Sequence, residues 1–263
     1  MPAPLSAAQR RALAEQDARW LGLPLPGGSD PAPVAAHVRH LAKLMGRERR
    51  ASAAAAAGHW GQLYDRSAPQ GFKLACRQGC AHCCKQSVSV YAPEAFRIAS
   101  LVRERSETAA AMRGAAERLS GSASGASNVR WMSCPLLSNN ICSAYEARPL
   151  NCRAFVAIDV RECVSTFVMM GKFAVHMPVP VTNMRTFCHI LMMAALRLAG
   201  KSDAVYEMNA AVSRILEAPD AEARWLSGED IFKGLAQDVP IAPEIEAEIR
   251  RLVAFIAPTL ERA

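Results

Sequence analysis

The sequence predicts a mainly α protein, a helical domain around an irregular cysteine-rich metal-binding core with at most a short strand or two. Apolar residues recur every three or four positions over long stretches near the end of the chain, which is the spacing of helices with one buried face. Seven of the nine cysteines crowd into two groups in the middle. No alternating series of strands and helices runs along the chain, which argues against a Rossmann or barrel architecture.

In chain order, residues 5–21 read as a short helix that Leu23-Pro24-Leu25-Pro26-Gly27-Gly28 breaks. Asp30 and Pro31 resemble an N-cap with proline in the first turn, opening a helix that runs to about Tyr64. Its alanine-rich centre, Ala51 to Ala57, has high helix propensity and little to bury. Alternation over Ser87–Tyr91 predicts one short strand. Helices follow from Pro93 through Arg103 and from Glu107 to Leu119, then a flexible Gly121–Gly125 connector. Met184, Phe187, Leu191, Ala195 and Leu198 share a helical stripe, as do Ile245, Ile249, Leu252, Ile256 and Leu260. Ser202 is the expected N-cap of a helix reaching Leu216. These elements divide the chain into an N-terminal helical extension (1–68), a cysteine-cluster domain (69–165) and a C-terminal helical part (166–263).

At 263 residues, 51% hydrophobic and 21% charged, the composition is that of a globular protein and excludes wholesale disorder. The formal charge of +7 is spread out. Its densest stretch, Arg47-Glu48-Arg49-Arg50, is interrupted by an acid, so nucleic-acid binding is disfavoured. No run approaches the roughly 18 apolar residues of a membrane span, and Ile190–Leu196 closes on Arg197. The N-terminus has no apolar stretch of signal-peptide length. The expected location is cytoplasmic, where thiols stay reduced and clustered cysteines point to metal rather than disulfides.

The first group reads Cys76-Arg77-Gln78-Gly79-Cys80-Ala81-His82-Cys83-Cys84-Lys85. Its spacing returns the sulfurs to one locus, with Gly79 supplying backbone freedom for the turn. The side chains of Cys83 and Cys84 diverge by about 100° if helical. Either they face two neighbouring sites, or one ligates and the other packs. The second group is Cys134-Pro135-Leu136-Leu137, then Cys142-Ser143-Ala144-Tyr145-Glu146-Ala147-Arg148-Pro149-Leu150-Asn151-Cys152-Arg153. Pro149 keeps Arg148 out of the helical region, so a short helix ends near Ala147 and the chain turns to bring Cys152 back. Seven thiolates exceed one tetrahedral centre. Cys163 is a candidate eighth, giving two four-thiolate sites, or else a buried packing residue. Arg77, Lys85, Arg148 and Arg153 are the candidate cations around such a negatively charged centre.

These two groups together resemble the CxxCxxCC cysteine-cluster family, described as a zinc- or iron-chelating domain. The resemblance spans roughly residues 72–165 and implies Cys76, Cys80, Cys83, Cys84, Cys134, Cys142 and Cys152 as ligands. This chain places three residues rather than two between Cys76 and Cys80. Flagellin lysine N-methylases resemble the same domain, so the alternative function is an iron–sulfur-dependent protein lysine methyltransferase. The primary expectation is a metal-binding protein holding iron–sulfur or zinc, redox or accessory in role, with metal ions and a protein partner as its ligands.

Three other readings carry less weight. The Cys76-x3-Cys80-x2-Cys83 spacing also matches radical S-adenosylmethionine enzymes, but their barrel pattern is missing and the second group would be unexplained. His82 is a candidate ligand, with an outer or exposed role favoured because cysteines suffice. Cys188 sits in an apolar helix and is expected to be core, as are the scattered methionines.

Overall fold

A computed structural model describes residues 32–46, 51–120, 132–169, 175–237 and 239–260. The readings for residues 5–21 and for the Gly121–Gly125 connector lie outside them. The described chain is mainly helical, with only two short two-stranded sheets among the described residues.

The helix expected to run from Pro31 to Tyr64 is two helices, α1 (Ala32–Met45) and α2 (Ala53–Ser67). The Ser52 hydroxyl restarts the chain as N-cap by accepting from the Ala55 N–H at 3.2 Å, while the Ser52 N–H donates to the Leu44 carbonyl at 2.8 Å. A serine that satisfies the first turn of one helix and the last turn of another favours a corner over a continuous helix. The alanine-rich segment also buries more than expected. Ala53, Ala56, Ala57, Trp60 and Tyr64 are all buried, because small residues let the next helix approach closely.

A 3-10 turn at His82–Lys85 precedes β1 (Ser89–Tyr91), α3 (Ala92–Val102) and α4 (Ser106–Ser120). After a small hairpin of β2 (Leu137–Ser138) and β3 (Ile141–Cys142) come a 3-10 turn at Tyr145–Ala147 and α5 (Leu150–Arg153). Then follow α6 (Val160–Phe167), α7 (Val179–Leu198), β4 (Val205–Glu207), α8 (Met208–Leu216), α9 (Ala221–Ser227) and α10 (Pro243–Leu260). The helix ending at Leu216 starts at Met208. Its cap is Glu207, whose side chain accepts from the Ala210 N–H, and Ser202 instead caps the local turn at Ala204.

β1 and β4 pair antiparallel in the register Ser89↔Glu207, Val90↔Tyr206 and Tyr91↔Val205. One buried cluster runs from Ala35, Met45 and Trp60 through Ile190–Leu196 to Ile249, Leu252 and Ile256. The indole N–H of Trp60 donates to the Cys188 carbonyl at 2.9 Å inside it. A second, smaller cluster holds Ala157, Cys163 and Phe167, with Cys83, Phe155 and Val175 packed against it. Cys134 and Cys142 pack against the first cluster and Cys83 against the second.

Candidate metal centre

The first cysteine segment has little regular structure and is tied down by backbone bonds. Gly79 takes a φ of 80°, the left-handed region that glycine enters without strain, and the Cys80 N–H closes on the Arg77 carbonyl at 3.0 Å. The Cys84 N–H reaches Ala81 at 3.1 Å within the next turn. Ala75 and Ala157 fasten this segment to the chain leading into α6. The Ala75 N–H donates to the Ala157 carbonyl at 2.7 Å, and the Ala157 N–H points at Cys76 Sγ at 3.3 Å.

The second segment begins with a tight hairpin. Asn139 and Asn140 both have positive φ, 50° and 61°, as a two-residue hairpin turn of the right twist requires, and asparagine tolerates it better than most residues. The turn pairs Leu137 with Cys142. The Cys134 N–H donates to the Cys84 carbonyl at 2.7 Å, which joins the two segments directly across fifty residues of sequence. Ahead of Pro149 the 3-10 turn ends at Ala147, as the proline demands, and α5 then presents Cys152.

The thiols fall into two neighbourhoods. Cys84, Cys134, Cys142 and Cys152 act electrostatically on one another, with Cys84 felt by each of the other three. Cys76, Cys80 and Cys163 form the other, with Cys76 and Cys80 both felt at Cys163. Cys83 packs against the Cys163 cluster and is acted on by Cys76, but it is also acted on by Cys152 and hydrogen-bonded to Cys84, so it sits between the two. That hydrogen bond favours ionisation of Cys84, lowering its thiol to about 7, and holds Cys83 protonated. Burial pushes the Cys134 and Cys163 thiols up to about 12 and raises those of Cys76, Cys142 and Cys152. Thiols brought together at such cost gain most from a cation that replaces their protons.

The four cations flanking the cysteines behave differently from one another. Arg148 lies over the Tyr145 ring at 3.6 Å and acts on Cys76, Cys84 and Cys142. Arg153 turns to the protein: Nη1 meets Asp65 at 2.5 Å, Nε donates to the Arg148 carbonyl at 2.7 Å and Nη2 to the Glu146 carbonyl at 2.6 Å. It clasps the second loop to α2, passing over Gly61, where a Cβ would stand 3.2 Å from Nε. Arg77 is exposed and Lys85 half-buried on its 3-10 turn. His82 is half-buried between Cys80 and Cys83.

Sequence reasoning missed two supports beneath the loop. The buried Glu94 carboxylate accepts from the Tyr91 N–H at 3.0 Å and from the Leu150 N–H at 2.7 Å, joining the first turn of α3 to the start of α5. Burial raises its carboxyl to about 7. His189 sits between the Tyr91 hydroxyl, 3.2 Å from Nδ1, and the Asn151 Oδ1, 3.3 Å from Nε2, and burial lowers its imidazole to about 4. The Glu94 capping position after a strand was legible. Its second partner, fifty-six residues away, was not.

All nine cysteines are free thiols. Among the described residues no three His, Cys, Asp or Glu side chains stand in a finished metal-ligand geometry, so closure of either group on a metal takes side-chain rotation. The donor set fits a thiophilic metal: soft sulfur ligands, a backbone N–H aimed at Cys76 Sγ and the Arg148 guanidinium nearby. Among the described residues no helix is long and apolar enough to cross a membrane. Residues 75–172 match the model of the CxxCxxCC family, described as a "putative zinc- or iron-chelating domain". No curated protein and no solved structure matches the chain.

Proposed function

We propose, with a zinc- or iron-chelating CxxCxxCC domain at residues 75–172 as the premise, that this protein holds two adjacent four-thiolate iron–sulfur centres. Cys84, Cys134, Cys142 and Cys152 make one, and Cys76, Cys80, Cys83 and Cys163 the other. The functional unit is residues 69–165, with residues 1–68 and 166–263 as flanking helical parts. The observation that carries this reading is that Cys84 acts on Cys134, Cys142 and Cys152, while its neighbour Cys83 packs against the Cys163 cluster.

That split also supports iron–sulfur over zinc. In two-cluster ferredoxins a cysteine run gives three ligands to one cluster and its fourth to the other. Here Cys76, Cys80 and Cys83 serve one centre and Cys84 crosses to the second. Such a pair, close together and partly exposed, suits one-electron transfer to or from a protein partner docking at the loop surface. Protein purified without oxygen should be coloured by sulfur-to-iron charge-transfer absorption and contain acid-labile sulfide. Colourless protein with stoichiometric zinc and no sulfide would overturn the iron–sulfur assignment while leaving the thiolate centres in place.

A further inference from the structure

Three of the six histidines meet far from the cysteines in sequence. His37 and His40 lie three residues apart on α1 and so share a face, and His59 rises opposite them from α2. His37 Nδ1 is 3.4 Å from His59 Nε2. The His37 and His59 ring centroids are 5.6 Å apart, and those of His40 and His59 4.5 Å apart, edge to face. Two imidazole nitrogens bound to one tetrahedral metal at about 2.0–2.1 Å stand about 3.3–3.4 Å apart. The observed separation fits that edge.

We propose that His37, His40 and His59 form a metal site independent of the thiolates, which takes a divalent, imidazole-preferring ion such as Ni2+, Zn2+ or Cu2+ and leaves the remaining position to solvent. His37 Nδ1 and His59 Nε2, which share a hydrogen bond, supply the first two nitrogens once metal replaces the proton between them. His40 is exposed, so its ring is free to swing in and complete the set. Metal there clamps α1 to α2 across the corner at Ser52. Arg66 lies close enough to act on the His59 imidazole. Arg66 opposes a cation, so the site is weaker than one flanked by carboxylates.

The test uses metal-loaded full-length protein dialysed against Ni2+ at neutral pH without oxygen. One nickel beyond the thiolate metal is expected, without thiolate-to-nickel charge-transfer absorption. His59→Ala and His40→Ala should each weaken it by more than tenfold, since loss of a mere outer-shell partner already costs about 10–100-fold. The exposed His40 can be replaced without disturbing the core, so its variant keeps the test valid if His59→Ala misfolds. His176→Ala, whose ring pairs with Glu162 and makes none of these histidine contacts, should bind as wild type. No added nickel, nickel held by thiolates, or wild-type affinity in His40→Ala would each overturn the site.

Discussion

Arg153 offers the sharpest test of how the cysteine loop is held. Its guanidinium makes three contacts, and they are unequal. Asp65 is half-exposed, 51% against 9% for the arginine, so that ion pair contributes no more than about 1 kcal/mol. The bonds to the Arg148 and Glu146 carbonyls come from a charged donor, worth about 1.5–3 kcal/mol each. Water replaces part of this at exposed Glu146. Arg153→Ala should therefore cost about 2–4 kcal/mol and Asp65→Ala less than about 1 kcal/mol. Equilibrium denaturation of metal-loaded protein measures both, and metal release to a chelator should quicken in Arg153→Ala alone. Equal costs for the two variants would show that the ion pair, not the carbonyl clasp, holds the loop, and the reasoning would fail.

The remaining predictions concern the residues around the site. Glu94 binds a proton more readily folded than unfolded, since burial raises its carboxyl from 4.5 to about 7; its contribution to stability should fall as pH rises through that window, by at most about 3 kcal/mol. Glu94→Gln should flatten the slope of denaturation midpoint against pH between those limits, and an unchanged slope would assign it to another group. Asn140→Val should destabilise the hairpin by about 1–2 kcal/mol, because a β-branched side chain is strained at a φ of 61°; Asn140→Gly should be tolerated, and circular dichroism melts compare them. Cys188→Ser puts a hydroxyl into a site that is 1% exposed, which should cost about 1–3 kcal/mol yet leave metal content, measured by mass spectrometry, unchanged.

Much of this architecture can be read from residue spacing, and the exceptions share a physical cause. The strand ending at Tyr91, the helices after it, the stop before Pro149 and the Ile249–Leu252–Ile256 stripe all follow from local chemistry: alternation, proline geometry and a period near 3.6. The corner at Ser52 was masked by alanines, whose propensity is helical on either side of a break. Glu207 displaced Ser202 as a cap because pairing with β1 draws residues 205–207 into a strand first. Both cysteine groups are plain in the sequence. How they divide depends on contacts between segments fifty residues apart, such as Cys134 N–H to the Cys84 carbonyl, and spacing holds no record of those. Arg153 sits beside Cys152 yet serves Asp65 and two carbonyls, because three good acceptors converge where Gly61 leaves room.

Metal stoichiometry in cysteine variants tests the proposed paired centres most directly. Iron and sulfide per chain should fall by half in Cys142→Ser, by half in Cys80→Ser, and to near zero when both are replaced. If Cys142→Ser and Cys80→Ser each remove all of the metal together, or either removes none, the division of the thiols into two centres is contradicted.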